Sequence, residues 1–170
     1  MGARRSSQQF FAASDAATDS TPPGLGGFMH GFYWYAHVVA LTQEHVRWLH
    51  ISVLELLATG FSTIIFTPLL PPGAKRLTHG ADATATVTTL TRETESSEML
   101  MLTHHALLQC DQFKALAPRA DLGHLRGDSN LGADAVSRAL WDTFARLCRN
   151  LRVRPIQLEK CLQEISWSFV

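Results

Sequence analysis

The sequence carries no net charge: 15 basic side chains balance 15 acidic ones over 170 residues. Attraction of the whole molecule to nucleic acid is therefore not expected. Cysteine is scarce. Cys110, Cys148 and Cys161 are odd in number and fit no zinc spacing, which reads as reduced thiols in an intracellular protein. Residues 1–9 are polar and contain no apolar core segment, so no signal peptide is expected there. No internal repeat is present. The longest apolar stretch, residues 46–70, is interrupted by Arg47, His50, Glu55 and Pro68. A central charge costs on the order of 3 kcal/mol on insertion into a bilayer. A buried helix followed by a loop is the better reading, with no membrane partner.

What is present suits one globular domain. Apolar residues make up 46% and charged residues 18%. A chain of this length buries roughly 70% of its unfolded surface, so it needs neither disulfide nor metal merely to fold. Three turn-rich places divide it: Thr21-Pro22-Pro23-Gly24-Leu25-Gly26-Gly27, then residues 68–73, then Gly127-Asp128-Ser129-Asn130. Before the first, residues 9–13 read as a buried strand ending at Asp15. After it, residues 27–40 read as a hairpin turning at His30-Gly31. Residues 44–66 form one largely buried helix, with Gly60 as a weak point. A strand over 76–81 leads into Asp82, then a short helix over 83–90 and a polar connection over 91–97. One helix is expected over 98–116, with Met99, Leu102, Ala106 and Phe113 as its stripe. A strand over 121–126 follows. Asn130 then caps a long helix running to Pro155. The order predicts an α/β layered domain with a mixed sheet over 10–154, preceded by flexible residues 1–9 and followed by an unassigned tail over 155–170.

Four carboxylates occupy notable positions. Asp15 and Asp82 end strands, and ligand sites in open α/β sheets lie beyond strand carboxyl ends. Glu55 lies in a helix apolar on most faces, where an unpaired carboxylate must be paired, protonated or bound to a cation. Asp134 opens a helix. Each has a bland alternative: a turn for Asp15, an N-cap for Asp82, the helix dipole for Asp134, a pair with Arg47 or His50 for Glu55. Gathered together, they suit hard divalent cations such as magnesium.

The same segments resemble the ribonuclease H domains of reverse-transcribing elements. Ser14-Asp15-Ala16 before Gly24-Leu25-Gly26-Gly27 looks like that family's first strand and glycine-rich turn. Leu54-Glu55-Leu56-Leu57-Ala58 looks like its glutamate helix, and Asp82-Ala83-Thr84-Ala85 like its strand-to-helix aspartate. Residues 124–138, with Asn130, Ala133-Asp134 and Ser137-Arg138, are similar to its last strand, turn and helix. The resemblance implies a mixed five-stranded sheet flanked by helices. It implies an endonuclease that cuts the RNA strand of an RNA–DNA hybrid. Asp15, Glu55, Asp82 and Asp134 would hold two magnesium ions, or manganese in their place. A polymerase portion of a larger polyprotein would be a partner. The loop histidine of many cellular members is absent, and His124 is not given its role. A non-catalytic nucleic-acid-binding remnant with the same fold stays open, as does an unrelated interaction domain whose acids are caps and ion pairs.

Other residues are weighed on their own chemistry. Arg138, Arg146, Arg149, Arg152 and Arg154 face one acid, Asp142, between 138 and 154, which suits either phosphate contacts or a solvated helix face. Arg126, Asn130 and Arg138 are the expected nucleic-acid contacts. Tyr33, Trp34 and Tyr35 suit base stacking or a strand core. The eight histidines, among them His79 and the pair His104-His105, read better as scattered core and surface groups than as a metal site.

Overall fold

Six strands form one sheet in the order β5-β4-β1-β2-β3-β6. The computed structural model describes residues 10–20, 23–37, 51–71, 76–83, 86–87, 89–90 and 98–158. The expectations for residues 1–9, 38–50 and 91–97, and for the tail beyond 158, lie outside the described residues. In chain order the elements are β1 (Phe10–Ala17), β2 (Gly24–Met29), β3 (Phe32–His37), α1 (Ile51–Phe66) and β4 (Leu77–Ala81). Then come α2 (Glu98–Gln109), α3 (Asp111–Leu116), β5 (Ala120–His124), α4 (Leu131–Ser137), α5 (Trp141–Asn150) and β6 (Ile156–Gln157). Thr86, Val87, Thr89 and Leu90 are helical, as expected for that stretch. β1 is antiparallel to β2 and β2 to β3, whereas β4 runs parallel to β1 and β5 to β4. The hairpin turns at His30-Gly31, both with positive φ.

Strand alternation divides the side chains between two layers. Ala12, Ala16, Leu25, Trp34 and Leu77 face α1, α2 and α3 in the main core. Phe28, Tyr33 and Tyr35 face the second layer, where Val136, Phe144 and Cys148 of α4 and α5 pack on them. Helix α1 is buried nearly all round because the sheet covers one side and α2 another. Gly60 does not break it. The side chain of Leu107 fills the place a Cβ would take there, at 2.6 Å.

Several boundaries differ from the sequence reading, each for a physical reason. β1 continues past Asp15 to Ala17 because β2 pairs along it as far as Ala17↔Gly24. Gly24-Leu25-Gly26-Gly27 is therefore strand rather than turn. Its glycines answer close packing on both faces: a Cβ on Gly26 would meet Val136 at 2.7 Å, and one on Gly27 would meet Ser62 on the opposite side. The helix expected over 98–116 breaks at Cys110, whose backbone is extended. Leu100, His104 and Leu107 face the core in α2, not Leu102, which is exposed. Phe113 lies six residues past Leu107, about 240° round an unbroken helix, so the break lets it reach the same core.

The last helix is likewise two. Ala139 adopts φ 54° and Arg152 φ 55°, both left-handed. At each place the next amide bonds back five residues, Leu140 N–H to Ala135 O and Val153 N–H to Cys148 O. These are Schellman closures with a non-glycine residue at the left-handed position. They end α4 at Ser137 and α5 at Asn150, ahead of Pro155. Asn130 makes no side-chain cap, and its carboxamide is used elsewhere. Finally, the sheet extends past Arg154: β6 pairs with the start of β3.

Candidate active site

The site begins where β4 stops. The last β1–β4 rung is Ser14↔Ala81, so the β1 backbone beyond it has no strand partner on that side. Glu55 of α1 takes the vacated place, and its Oε1 accepts the Ala16 N–H at 3.1 Å. Asp82 is the first residue past β4, and Asp15 is one step beyond the last rung. One ligand oxygen from each of Asp15, Glu55 and Asp82 lies within 4.8 Å of the other two. Asp15 and Glu55 are each only 4% exposed.

This proximity is electrostatically costly. Burial, with the charges of Asp82 and Asp134, pushes the Asp15 carboxyl up to about 6, although the Ser137 hydroxyl opposes the shift. Burial and then the charges of Asp15 and Asp82 push Glu55 up to about 9. Asp82 is raised as well, by burial and then by Asp134. The other Glu55 oxygen, Oε2, is buried and receives no hydrogen bond, while the Glu55 and Asp15 carboxyls meet and share a proton, which lowers Asp15 and raises Glu55. A buried carboxyl oxygen that no donor satisfies, inside a group of hard oxygen ligands, fits a divalent cation such as magnesium.

Helix α4 closes the site from the second layer. It descends on β2 over Gly24 and Gly26, which leave room for its last turn. Ser137 Oγ then donates to Asp15 Oδ2 at 2.6 Å. Asp134, the fourth expected acid, stands outside the three-carboxylate group, close enough to raise Asp15 and Asp82. Its Oδ1 accepts from Arg138 Nε at 2.8 Å, and Arg138 also donates to Asp19 Oδ1 at 2.6 Å. The Arg138 bond holds Asp19 below the usual carboxylate range.

The remaining expected residues take distinct places. Asn130 is 2% exposed; its Nδ2 donates to the Ser14 carbonyl at 3.1 Å, which ties the turn before α4 to β1. Arg126 is exposed and bonds Asp128. Glu55 faces Asp15 and Asp82, while Arg47 and His50, its alternative partners, lie outside the described residues. His79 is fully buried on the far face of the sheet, bonded to Ser14 Oγ at 2.9 Å, and burial lowers it to about 4. Among the described residues no histidine joins a metal-binding cluster. Trp34 is core, with its indole N–H on Ser62, so it cannot stack on a base. Two residues were given no role from sequence, Ser137 and Asp19. Ser137 lies three residues after Asp134, on the same helical face, and belongs to the Ser137-Arg138 pair of the motif over 124–138; those are its two signals in the sequence.

No protein-family model matches the sequence, and no curated protein matches it. Among solved structures the chain is similar to a ribonuclease H1 from the halophilic archaeon Halobacterium salinarum, with a TM-score of 0.50 and 14% identity. The match covers 79% of this chain and 98% of that one. At this identity the likeness speaks for the fold: a mixed sheet with an antiparallel hairpin, parallel strands and flanking helices, of ribonuclease-H-like type.

Proposed function

We propose that this chain is a metal-dependent endonuclease of ribonuclease H type, which cuts the RNA strand of RNA–DNA hybrids and derives from the polyprotein of a reverse-transcribing element. The observation that carries the reading is the convergence of Asp15, Glu55 and Asp82 at the carboxyl ends of β1 and β4. Acids gathered this tightly in a fold of this type, with a carboxyl oxygen among them that no donor satisfies, serve cation binding better than stability. Asp15, Glu55 and Asp82 would hold two magnesium ions, with Asp134 completing the set. Bound there, the ions offset the carboxylate charge and supply the activated water and leaving-group stabilisation of phosphodiester hydrolysis. Ser137 orients Asp15, and Asn130 fixes the backbone beneath it. Arg126 and Arg138 contact the phosphate backbone, which supplies most of the affinity.

The test is direct. The purified chain with magnesium and a hybrid labelled on its RNA strand should release short RNA products with 3′-hydroxyl ends. Asp82→Asn should abolish this. A folded, unmutated chain that leaves the hybrid intact would sink the reading. One observation favours a second reading, a binding remnant without catalysis: the Arg138 bond occupies the fourth acid. That reading expects salt-dependent hybrid binding and no magnesium-dependent cutting.

A further inference from the structure

Across the sheet, Asp15, Gly26 and Tyr35 are successive partners on β1, β2 and β3, so their side chains share one face. Two strand spacings separate Asp15 from Tyr35, about 10 Å. The last turn of α4 lies over the glycine between them. Beyond it, the left-handed Ala139 reverses the chain and delivers Trp141 onto β3. A left-handed alanine costs on the order of 1 kcal/mol, so this placement is held against strain.

Trp141 stands edge-on to Tyr35, with ring centroids 5.3 Å apart and planes at 87°. Tyr33 and Phe144 brace it at 5.8 and 6.4 Å. Phe144 and Cys148 already make the buried contacts of α5, whereas Trp141 is 40% exposed. A hollow of about 530 Å³ opens beside it, lined by Ala139, Leu140, Trp141, Asp142, Thr143 and Arg146. A rigid, half-open indole next to an arginine is the chemistry that binds a nucleotide: a flat face for base or sugar and a cation for phosphate.

We infer that Trp141, braced on Tyr35, is a platform on which a sugar of the substrate hybrid packs, with Arg146 on the adjoining phosphate. The inference rests on the nuclease reading for its substrate. Its test therefore reads binding and cleavage separately. Anisotropy of an end-labelled 12-base-pair RNA–DNA hybrid in EDTA should show about tenfold weaker binding for Trp141→Ala and a change under threefold for Trp141→Phe. Arg146→Gln should lower the salt dependence of binding by about one phosphate contact. With magnesium, Trp141→Ala should raise KM and leave kcat at saturating hybrid unchanged. Thermal melting of both Trp141 variants separates lost packing from lost binding. Equal binding by Trp141→Ala and the unmutated chain overturns the platform, as does a Trp141→Phe chain of unchanged Tm that binds as weakly as the alanine variant. Weakened binding by Trp141→Ala in a chain that never cleaves keeps the platform and overturns the nuclease reading. Failure of the unmutated chain to bind the hybrid overturns both.

Discussion

The donor on Asp15 sets the terms on which that carboxylate can take a cation. Ser137 Oγ sits 2.6 Å away and holds down a group that burial and its neighbours push up to about 6. In Ser137→Ala the donor is lost, so Asp15 should titrate higher still. Its proton must then leave before a cation binds. Magnesium affinity, measured by calorimetry, should fall more at pH 6 than at pH 8. An equal loss at both pH values would mean that Ser137 acts on the site in some other way. Sequence made these two partners unequally visible. Glu55 stands out because an acid inside an apolar helix demands a compensating group. Ser137 is marked only by the Ser137-Arg138 pair of its motif, which does not reveal a partner 122 residues away.

The close approach of α4 to β2 depends on absent side chains. A Cβ on Gly26 would lie 2.7 Å from Val136 Cγ1 and 2.8 Å from the Ser137 amide, and the amide cannot move without the helix. Gly26→Ala should therefore destabilise the fold by about 1–3 kcal/mol, measured by urea unfolding, and weaken magnesium binding as Ser137 leaves Asp15. Gly123→Ala on β5 is the control. Nothing lies within 4 Å of its Cβ, so its unfolding midpoint should stay close to that of the unmutated chain. A similar midpoint for Gly26→Ala would show that the helix is free to lift. Strands, hairpin and α1 were legible because alternation and turn residues announce them. The divisions at Cys110 and Ala139 were not. Met99, Leu102, Ala106 and Phe113 keep helical spacing across Cys110 although Leu102 is exposed, and the left-handed closure on Ala139 carries no glycine to mark it.

For the molecule as a whole, two sets of buried groups pull stability in opposite directions with pH. Asp15 and Glu55 titrate above their ordinary values, at about 6 and about 9. Their contribution is complete below about pH 4 and is lost as pH rises through those values, because the unfolded chain releases its protons first. His79, depressed to about 4, behaves oppositely. Its contribution is present above its ordinary value near 6.5 and is lost as pH falls toward 4. Between about pH 4.5 and 6 the two carboxyls outweigh the one imidazole, so without divalent cation Tm should be highest near pH 4 and decline toward pH 9. Magnesium should flatten this decline, since it binds the ionised carboxylates of the folded state. A melting series from pH 4 to 9, with EDTA and with magnesium, checks both expectations. An alkaline limb unchanged by magnesium would contradict cation binding at these acids. The carboxylates' addresses on strands and helix were readable from sequence. Their mutual distance was not, since it depends on how far β4 stops short of the end of β1.

The short pairing of β6 with β3 has a consequence for how the chain behaves among copies of itself. Ile156 N–H bonds Gly31 O and Leu158 N–H bonds Tyr33 O, so the start of the hairpin's outer rim, at Phe32 and Tyr33, is covered. On the opposite rim, β5 is short and carries the charged Asp121. Exposed strand rims recruit one another, and short, charged or covered ones do so least. A chain cut after Arg154 keeps every acid of the site and loses that cover. It should stay folded yet associate as concentration rises, visible as a growing apparent mass in light scattering, whereas the chain carried through residue 158 should not. The last strand then acts less as a part of the site than as a guard on solubility.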